Sequence, residues 1–386
     1  MISSPQSRII WLLAGETSGD EIGARLIQAL KRHDPSIRFI GVGGPRMREN
    51  GMEILFPMHD LAVMGLVEVL PKIRFLSKRL NQTIEHIEQT RPNAIVTIDS
   101  PGFSLRLLKR IQNLGIPRIH YVAPQVWAWH ENRVKKFPGR WEKLLCLLPF
   151  EEEFFRRHNL DSDFVGHPIL ESQANQGDAN LFRKRHQITQ NAPILLLMPG
   201  SRRSELPKLM PIFRKTLKLL KQKIPNIVAV IPASPISAHH IQKRIQNWPV
   251  KPLIINNISE KHDAYAAAGA ALTKSGTTTL ELALAKVPMA VTYRVNPLTA
   301  FIARRMIKVP CVAMVNLLAQ REIVPELLQE NCRPDKLAQT AIKLLTNPEI
   351  AVNQRAEFEI ILHQLLPKNG KVPSDAAAEE ILKLIA

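Results

Sequence analysis

The stretch Lys274-Ser275-Gly276-Thr277-Thr278-Thr279-Leu280-Glu281 follows directly on the apolar run Ala270 to Thr273. The run reads as a buried strand, and Leu280 to Ala285 as the body of a helix. Small hydroxyl residues and one glycine therefore stand where a strand hands over to a helix N-terminus. Unpaired amides and the positive end of the helix dipole meet there, which suits a diphosphate. Glu281, further along the helix, is placed to accept hydrogen bonds from vicinal hydroxyls such as those of a ribose. A phosphate cradle beside a hydroxyl acceptor suggests a nucleotide diphosphate. A plain capped helix, with Glu281 completing a capping box, accounts for the same residues.

Outward from this turn the chain alternates strands and helices. Ile9 to Ala14, Phe39 to Val42, Ala94 to Ile98, Ile119 to Val122 and Leu144 to Leu148 read as strands. Helical periodicity fills Glu21 to Arg32, Phe75 to Gln89 and Leu105 to Asn113 between them. After the polar stretch Glu171 to Asn180 the pattern restarts with Ile194 to Met198, Ile227 to Ile231, Leu253 to Ile255, Ala270 to Thr273 and Met289 to Thr292. Near-continuous apolar strands separated by helices indicate parallel sheets covered on both faces. The expected architecture is α/β, with two Rossmann-like domains facing across a cleft. The boundaries are 1–172, 173–366 and a C-terminal helix in 367–386, with Ser374 as its N-cap.

Polar and glycine residues gather at the carboxyl ends of the strands: Gly15 to Asp20, Gly43-Gly44, Asp99-Ser100, Pro124-Gln125, Pro199 to Arg202 and Lys274 to Gly276. Open α/β sheets bind ligands outside those ends. No G-x-G-x-x-G follows the first strand and no Walker A sequence occurs, which disfavours dinucleotide and ATP sites.

At 386 residues the chain is long enough for two domains with full cores. Its three cysteines, Cys146, Cys311 and Cys332, have no paired spacing, which argues against a disulfide framework and a zinc site. The first residues lack a secretory apolar region and no segment approaches the length of a membrane span, so a cytoplasmic or peripheral protein is expected. Lys plus Arg number 52 against 34 acidic residues, a formal charge of +18. That excess favours an anionic partner: nucleic acid, anionic lipid or a phosphorylated substrate. Aromatic content of 5% and the lack of a binding module disfavour nucleic acid.

Five blocks occur in one order: Gly15-Glu16-Thr17-Ser18-Gly19-Asp20, Ala123-Pro124-Gln125-Val126-Trp127-Ala128-Trp129, Phe164-Val165-Gly166-His167-Pro168, Pro199-Gly200-Ser201-Arg202 and Lys274-Ser275-Gly276-Thr277. Together they closely resemble the lipid-A-disaccharide synthase family. The resemblance implies a GT-B-like, inverting, metal-independent glycosyltransferase without a cofactor. It implies UDP-2,3-diacylglucosamine as donor and 2,3-diacylglucosamine 1-phosphate as acceptor, giving a β-1,6 disaccharide 1-phosphate and UDP. It further implies that the C-terminal helix returns to an N-terminal domain, in a homodimer with exchanged C-terminal parts, peripheral on the cytoplasmic face of a Gram-negative-type inner membrane. Two alternatives stand beside it. One is another UDP-N-acetylglucosamine-using transferase or epimerase on this fold; the other is a basic nucleic-acid-binding protein.

Individual residues follow. Asp99, ending a strand before Ser100-Pro101-Gly102, suits a base that takes the proton of a sugar 6-hydroxyl; capping the next helix is its plain alternative. Arg202 suits a grip on the diphosphate and on the charge of departing UDP, with Arg203 as a solvated neighbour. Gly200, Ser201, Lys274, Ser275, Gly276, Thr277, Thr278 and Glu281 complete the expected UDP site. Asn316 is expected at the substrate, with a buried, satisfied amide as its alternative. Glu16, Ser18, Gly19, Asp20 and Gln125 are expected on the acceptor side. Asp161-Ser162-Asp163 has the form of a metal-binding D-x-D but reads as a turn, and His167 lacks partner ligands, so no metal is expected. In the segment from Leu61 to Arg79, Val63, Leu66, Val69, Leu70 and Phe75 among Lys and Arg suggest a surface resting on anionic lipid; a core helix is the alternative.

Overall fold

The apolar runs of the N-terminal part pair into one parallel sheet. Its strands are β1 (Ile9–Ala14), β2 (Arg38–Val42), β3 (Met52–Ile54) and β4 (Ala94–Ile98). They continue with β5 (Arg118–Tyr121), β6 (Lys143–Cys146) and β7 (Ser162–Phe164). The helices are α1 (Thr17–His33), α2 (Pro45–Glu49), α3 (Ile73–Thr90), α4 (Pro101–Arg110), α5 (Val126–Trp129) and α6 (Pro149–Arg156). The computed structural model describes residues 8–61, 72–129, 131–200, 205–233, 235–296, 300 and 309–385, with the main chain only at 235 and 236.

Strand order is β3-β2-β1-β4-β5-β6-β7. β4 is buried at every position, because helices cover both faces of the sheet. Trp11, Leu13, Ile95, Leu107, Leu144 and Phe155 meet in the core on one of those faces.

The second sheet repeats the plan with β8 (Ile194–Met198), β9 (Val228–Pro232), β10 (Leu253–Ile255), β11 (Ala270–Lys274), β12 (Met289–Tyr293) and β13 (Glu326–Leu328). Its helices are α7 (Ala179–Arg185), α8 (Leu206–Lys223), α9 (Pro235–Arg244) and α10 (Ile258–Ala267). α11 (Thr278–Leu284), α12 (Met314–Ala319), α13 (Pro334–Thr346) and α14 (Pro348–Gln364) follow. Strand order is β10-β9-β8-β11-β12-β13, again parallel. Leu197, Phe213 and Leu217 pack with Leu272, Leu337 and Leu344 in its core.

Two compact units result: Met1–Pro168 with Leu365–Ala386, and Ile169–Gln364. The tail joins the first unit through α15 (Pro373–Leu384), which packs on α1, and Arg32 pairs with Asp375 at 2.6 Å. Lys368 adds an ion pair to Glu152 at 3.0 Å. Among the described residues no helix is long and apolar enough to cross a membrane.

Several local expectations are corrected. The edge strands β3 and β13, three residues each, carry no periodic signal and were not expected. Asp161-Ser162-Asp163 is not a free turn, since Ser162 opens β7 and pairs with Leu144. Val372, not Ser374, holds the N-cap position of α15, without a side-chain cap, and Pro373 stands in the first turn.

Candidate active site

Both sheets reverse strand order beside their first strand, and crevices for ligands open at such switch points. In the first unit the reversal lies between β1 and β4, where Ala14 pairs with Ile98. Gly15 and Asp99 are thereby neighbours by register. A side chain at Gly15 would place its Cβ 2.5 Å from Ser100 Oγ, so the two turns meet closely where glycine stands.

Asp99 and Ser100 both take left-handed backbone, with φ of 52° and 49°. Val122, just beyond β5, does the same at 75°, a severe conformation for a β-branched residue. Three such residues on adjacent strand ends store strain on the order of 1–3 kcal/mol each, a pattern typical of sites where geometry is imposed for function. The surrounding bonds impose it: Asp99 donates its backbone N–H to Tyr121 O (2.9 Å), and Ser104 Oγ donates to Asp99 O (2.8 Å). Burial raises the Asp99 carboxyl pKa, and the Ser100 amide offsets part of that rise. A carboxylate with a raised pKa is a better proton acceptor.

The acceptor-side residues divide. Glu16 is half-buried at the N-cap of α1, Ser18 and Gln125 are exposed, and Gly19 packs against Ala14. Asp20 has another task. Only 1% exposed, its carboxylate accepts from the amides of Gly44 (2.8 Å), Arg46 (3.0 Å) and Met47 (3.0 Å), capping α2 from within α1.

One residue here gave no sequence signal. Glu151, on α6, accepts from the Trp127 indole (3.0 Å) and from the amides of Leu147 and Leu148 (both 3.1 Å). It ties the turn after β5, which carries Gln125, to the turn after β6. Burial pushes its pKa up to about 7. It sits in a run of three glutamates, Glu151 to Glu153, and only the tertiary fold singles it out.

In the second unit the reversal lies between β8 and β11, where Met198 pairs with Thr273. Pro199-Gly200 and Lys274 leave the sheet side by side. Gly200 has φ 100°, and an added Cβ would stand 2.0 Å from Glu205 Oε2. That carboxylate pairs with Lys274 at 2.9 Å. Lys274 also lies 5.7 Å from the Tyr293 ring centre. Ser275 Oγ donates to Val312 O (2.7 Å), Gly276 and Thr277 are exposed, and Thr278 is half-buried. α11 has seven residues, so its dipole is short, and the cations carry more of any anion affinity. Ser201, Arg202 and Arg203 lie outside the described residues, as do Val63, Leu66, Val69 and Leu70.

Glu281 forms no capping box; its oxygens accept from Lys261 Nζ (2.5 Å) and Tyr265 OH (3.1 Å) of α10. Asn316 is 0% exposed and fully bonded. Its Nδ2 donates to Val324 O (2.8 Å) and Glu326 Oε1 (2.9 Å), while Oδ1 accepts from the amides of Ile323 and Val324 (both 2.9 Å). Both side-chain polar atoms of Asn316 are thus used within the unit, the arrangement that the satisfied-amide alternative describes. Glu326 extends the network to the amides of Val312 and Ala313. Asp161 and Asp163 both pair with Lys143 at 2.8 Å, an ion-pair network in place of open metal ligands.

The sequence model of the lipid-A-disaccharide synthetase family matches residues 10–380. The chain belongs to the lipid-A-disaccharide synthase family. A lipid-A-disaccharide synthase of Gluconobacter oxydans is 60% identical over 98% of this chain and 91% of that protein. In fold the chain is similar to MurG of Acinetobacter baumannii (TM-score 0.55, 16% identity, 98% and 100% of the two chains covered). It is also similar to a UDP-GlcNAc 2-epimerase of Neisseria meningitidis solved with UDP-GlcNAc (TM-score 0.60, 12% identity, 98% and 99% covered). A lipid-A-disaccharide synthase is a glycosyltransferase of lipid A biosynthesis that uses a nucleotide-sugar donor, and the Rossmann-like pair of sheets is the fold expected of it. The epimerase and nucleic-acid alternatives are not favoured by this membership.

Proposed function

We propose that the chain transfers the sugar of UDP-2,3-diacylglucosamine to the 6-hydroxyl of 2,3-diacylglucosamine 1-phosphate. Asp99 takes the hydroxyl proton as the new bond forms from that oxygen to the sugar's C1. The bond from C1 to the UDP oxygen breaks on the opposite face, so the configuration inverts to β. UDP leaves with the electron pair, and Arg202 and Lys274 offset its growing charge. Ser275, Thr277 and Thr278 flank the diphosphate, and Glu281 accepts from the ribose in competition with Lys261. Glu16, Ser18 and Gln125 line the acceptor side. Cationic side chains serve in place of a divalent ion.

The observation that carries this reading is Asp99: a strained, partly buried carboxylate at the switch point of the first sheet. The chain works at the cytoplasmic face of the inner membrane, where acylated substrates reside. The exposed run Lys72, Ile73, Arg74 and Phe75 opening α3 supports a lipid-facing surface, with Ile73 48% and Phe75 40% exposed. It is a homodimer, checked by light scattering.

The test is a transferase assay with acylated donor and acceptor. Disaccharide 1-phosphate and UDP should appear in equal amounts, with EDTA present or absent. Equal turnover of UDP-N-acetylglucosamine without acyl chains would overturn the substrate assignment. Activity abolished by EDTA and restored by magnesium would overturn the metal-independent mechanism.

A further inference from the structure

The formal charge of +18 exceeds what a diphosphate and a sugar phosphate need, and one face of the second unit concentrates it. Lys208, Arg214, Lys215 and Lys218 stand exposed along α8. Between α8 and the end of α9 lies a groove of about 730 Å³, lined by Arg214, Lys215, Lys218 and Arg244 with walls of Trp248 and Pro249. A second groove of about 460 Å³ adjoins it along the same helix, shares Lys215, and adds Lys208 and Arg294. Among the described residues neither groove is lined by a carboxylate.

The contrast with the nucleotide edge is sharp. There Lys274 is matched by Glu205 and Lys261 by Glu281. Among the described residues the other ion pairs of the second unit use Arg185, His186, Lys286, Arg321 and Arg333, and none uses the six groove cations. The larger groove also lies away from that edge. Trp248 and Pro249 belong to the connection that enters β10 at its amino end, held to α8 by Lys221 Nζ donating to Pro249 O (3.0 Å). A helix face that is cationic, unbalanced by acids and backed by apolar walls is complementary to an anionic lipid surface.

We propose that this face of α8 docks on an anionic phospholipid bilayer, with headgroup phosphates entering the two grooves. The proposal rests on the peripheral-membrane part of the function above and is independent of the transfer chemistry.

The test is sedimentation of the full chain with phosphatidylcholine vesicles, with and without phosphatidylglycerol. The parent should bind the anionic vesicles and release them as salt rises. Each Lys or Arg at such a surface strengthens binding about fivefold. The fourfold variant Arg214→Gln, Lys215→Gln, Lys218→Gln, Arg244→Gln should therefore bind more than about a hundredfold more weakly. Lys215→Gln alone should lose about fivefold, a check that needs only one exposed change. A control with the same charge loss on the first unit, Lys109→Gln, Arg110→Gln, Lys135→Gln, Lys136→Gln, should lose much less. Equal loss in the control, or parent-like binding by the groove variant, overturns the proposal. So does displacement by inorganic phosphate at constant ionic strength, which would mark a free-anion site. Transfer on detergent-dispersed substrates should match the parent in the groove variant. A parent that binds vesicles but transfers nothing would defeat the transferase reading and leave the docking surface standing.

Discussion

Asp99 and Val122 stand side by side on adjacent strand ends, and both hold left-handed backbone, at φ 52° and 75°. The register of β4 and β5 pairs Ile98 with Tyr121, the residues immediately before them. Neither position is a glycine, so the surrounding hydrogen bonds must hold conformations that each residue alone would leave. The strain falls at the switch point of the first sheet, around the proposed base.

Asp99→Asn should lower turnover by about two to four orders of magnitude, the usual contribution of a general base. UDP affinity should stay near the parent value, because the base acts on the acceptor. Steady-state kinetics with a parallel UDP titration measure both. A loss under about tenfold would remove Asp99 from the role.

Gly15→Ala should act through the same turn. The new Cβ, 2.5 Å from Ser100 Oγ and 3.0 Å from its Cβ, pushes on the side chain of the residue next to Asp99. Misplacement of a reacting group by about 1 Å costs on the order of a hundredfold in rate. Turnover should fall while KM for the donor stays near parental. Unchanged turnover would show that the turn yields without moving the base.

Glu281→Ala should weaken UDP binding by tenfold or more if its carboxylate serves the ribose, since a charged hydrogen bond contributes about 1.5–3 kcal/mol. It also releases Lys261, now held at 2.5 Å, toward the site. Calorimetric titration with UDP and with inorganic diphosphate separates the two effects. Diphosphate binding should hold or strengthen where UDP binding falls.

Asn316→Ala should act on stability. It strands the amides of Ile323 and Val324 and frees Glu326 from one donor. Unsatisfied buried groups cost about 1–3 kcal/mol each, so a clear fall in melting temperature is expected. A variant that melts like the parent yet loses turnover would return Asn316 to the catalytic site.

Glu151 sets a pH signature. Burial lifts its pKa from 4.5 to about 7, so the folded chain binds the proton more tightly than the unfolded chain. That share of stability is complete below 4.5 and is lost as pH rises through about 7, on the order of 3 kcal/mol in all. His120 and His167 act in the opposite sense. Burial lowers both from 6.5 to about 4, so their share is complete above 6.5 and is lost as pH falls through about 4. Glu151→Gln should therefore remove the loss of stability through about pH 7 in denaturant titrations, leaving the rise from His120 and His167 against the opposing share of Asp99. A variant with the parent's pH dependence would show that Glu151 does not titrate in this range.

What the sequence determined by itself was the alternation and the places where ligands can bind. Central strands such as Ala94–Ile98 and Ile194–Met198 announce themselves because burial on both faces demands unbroken apolar runs. The glycines and polar residues after them mark the carboxyl edges for the same local reason. Which polar group serves which partner was settled by the packing of segments distant in the chain. Asp20 caps α2, Asn316 is consumed by Glu326 and Val324, and Glu281 turns to Lys261 and Tyr265 rather than to its own helix. Each depends on a residue at least eight positions away, and local spacing carries no record of such pairs. The three-residue edge strands β3 and β13 were hidden for a related reason: an edge has only one neighbour, so its sequence need not be apolar throughout.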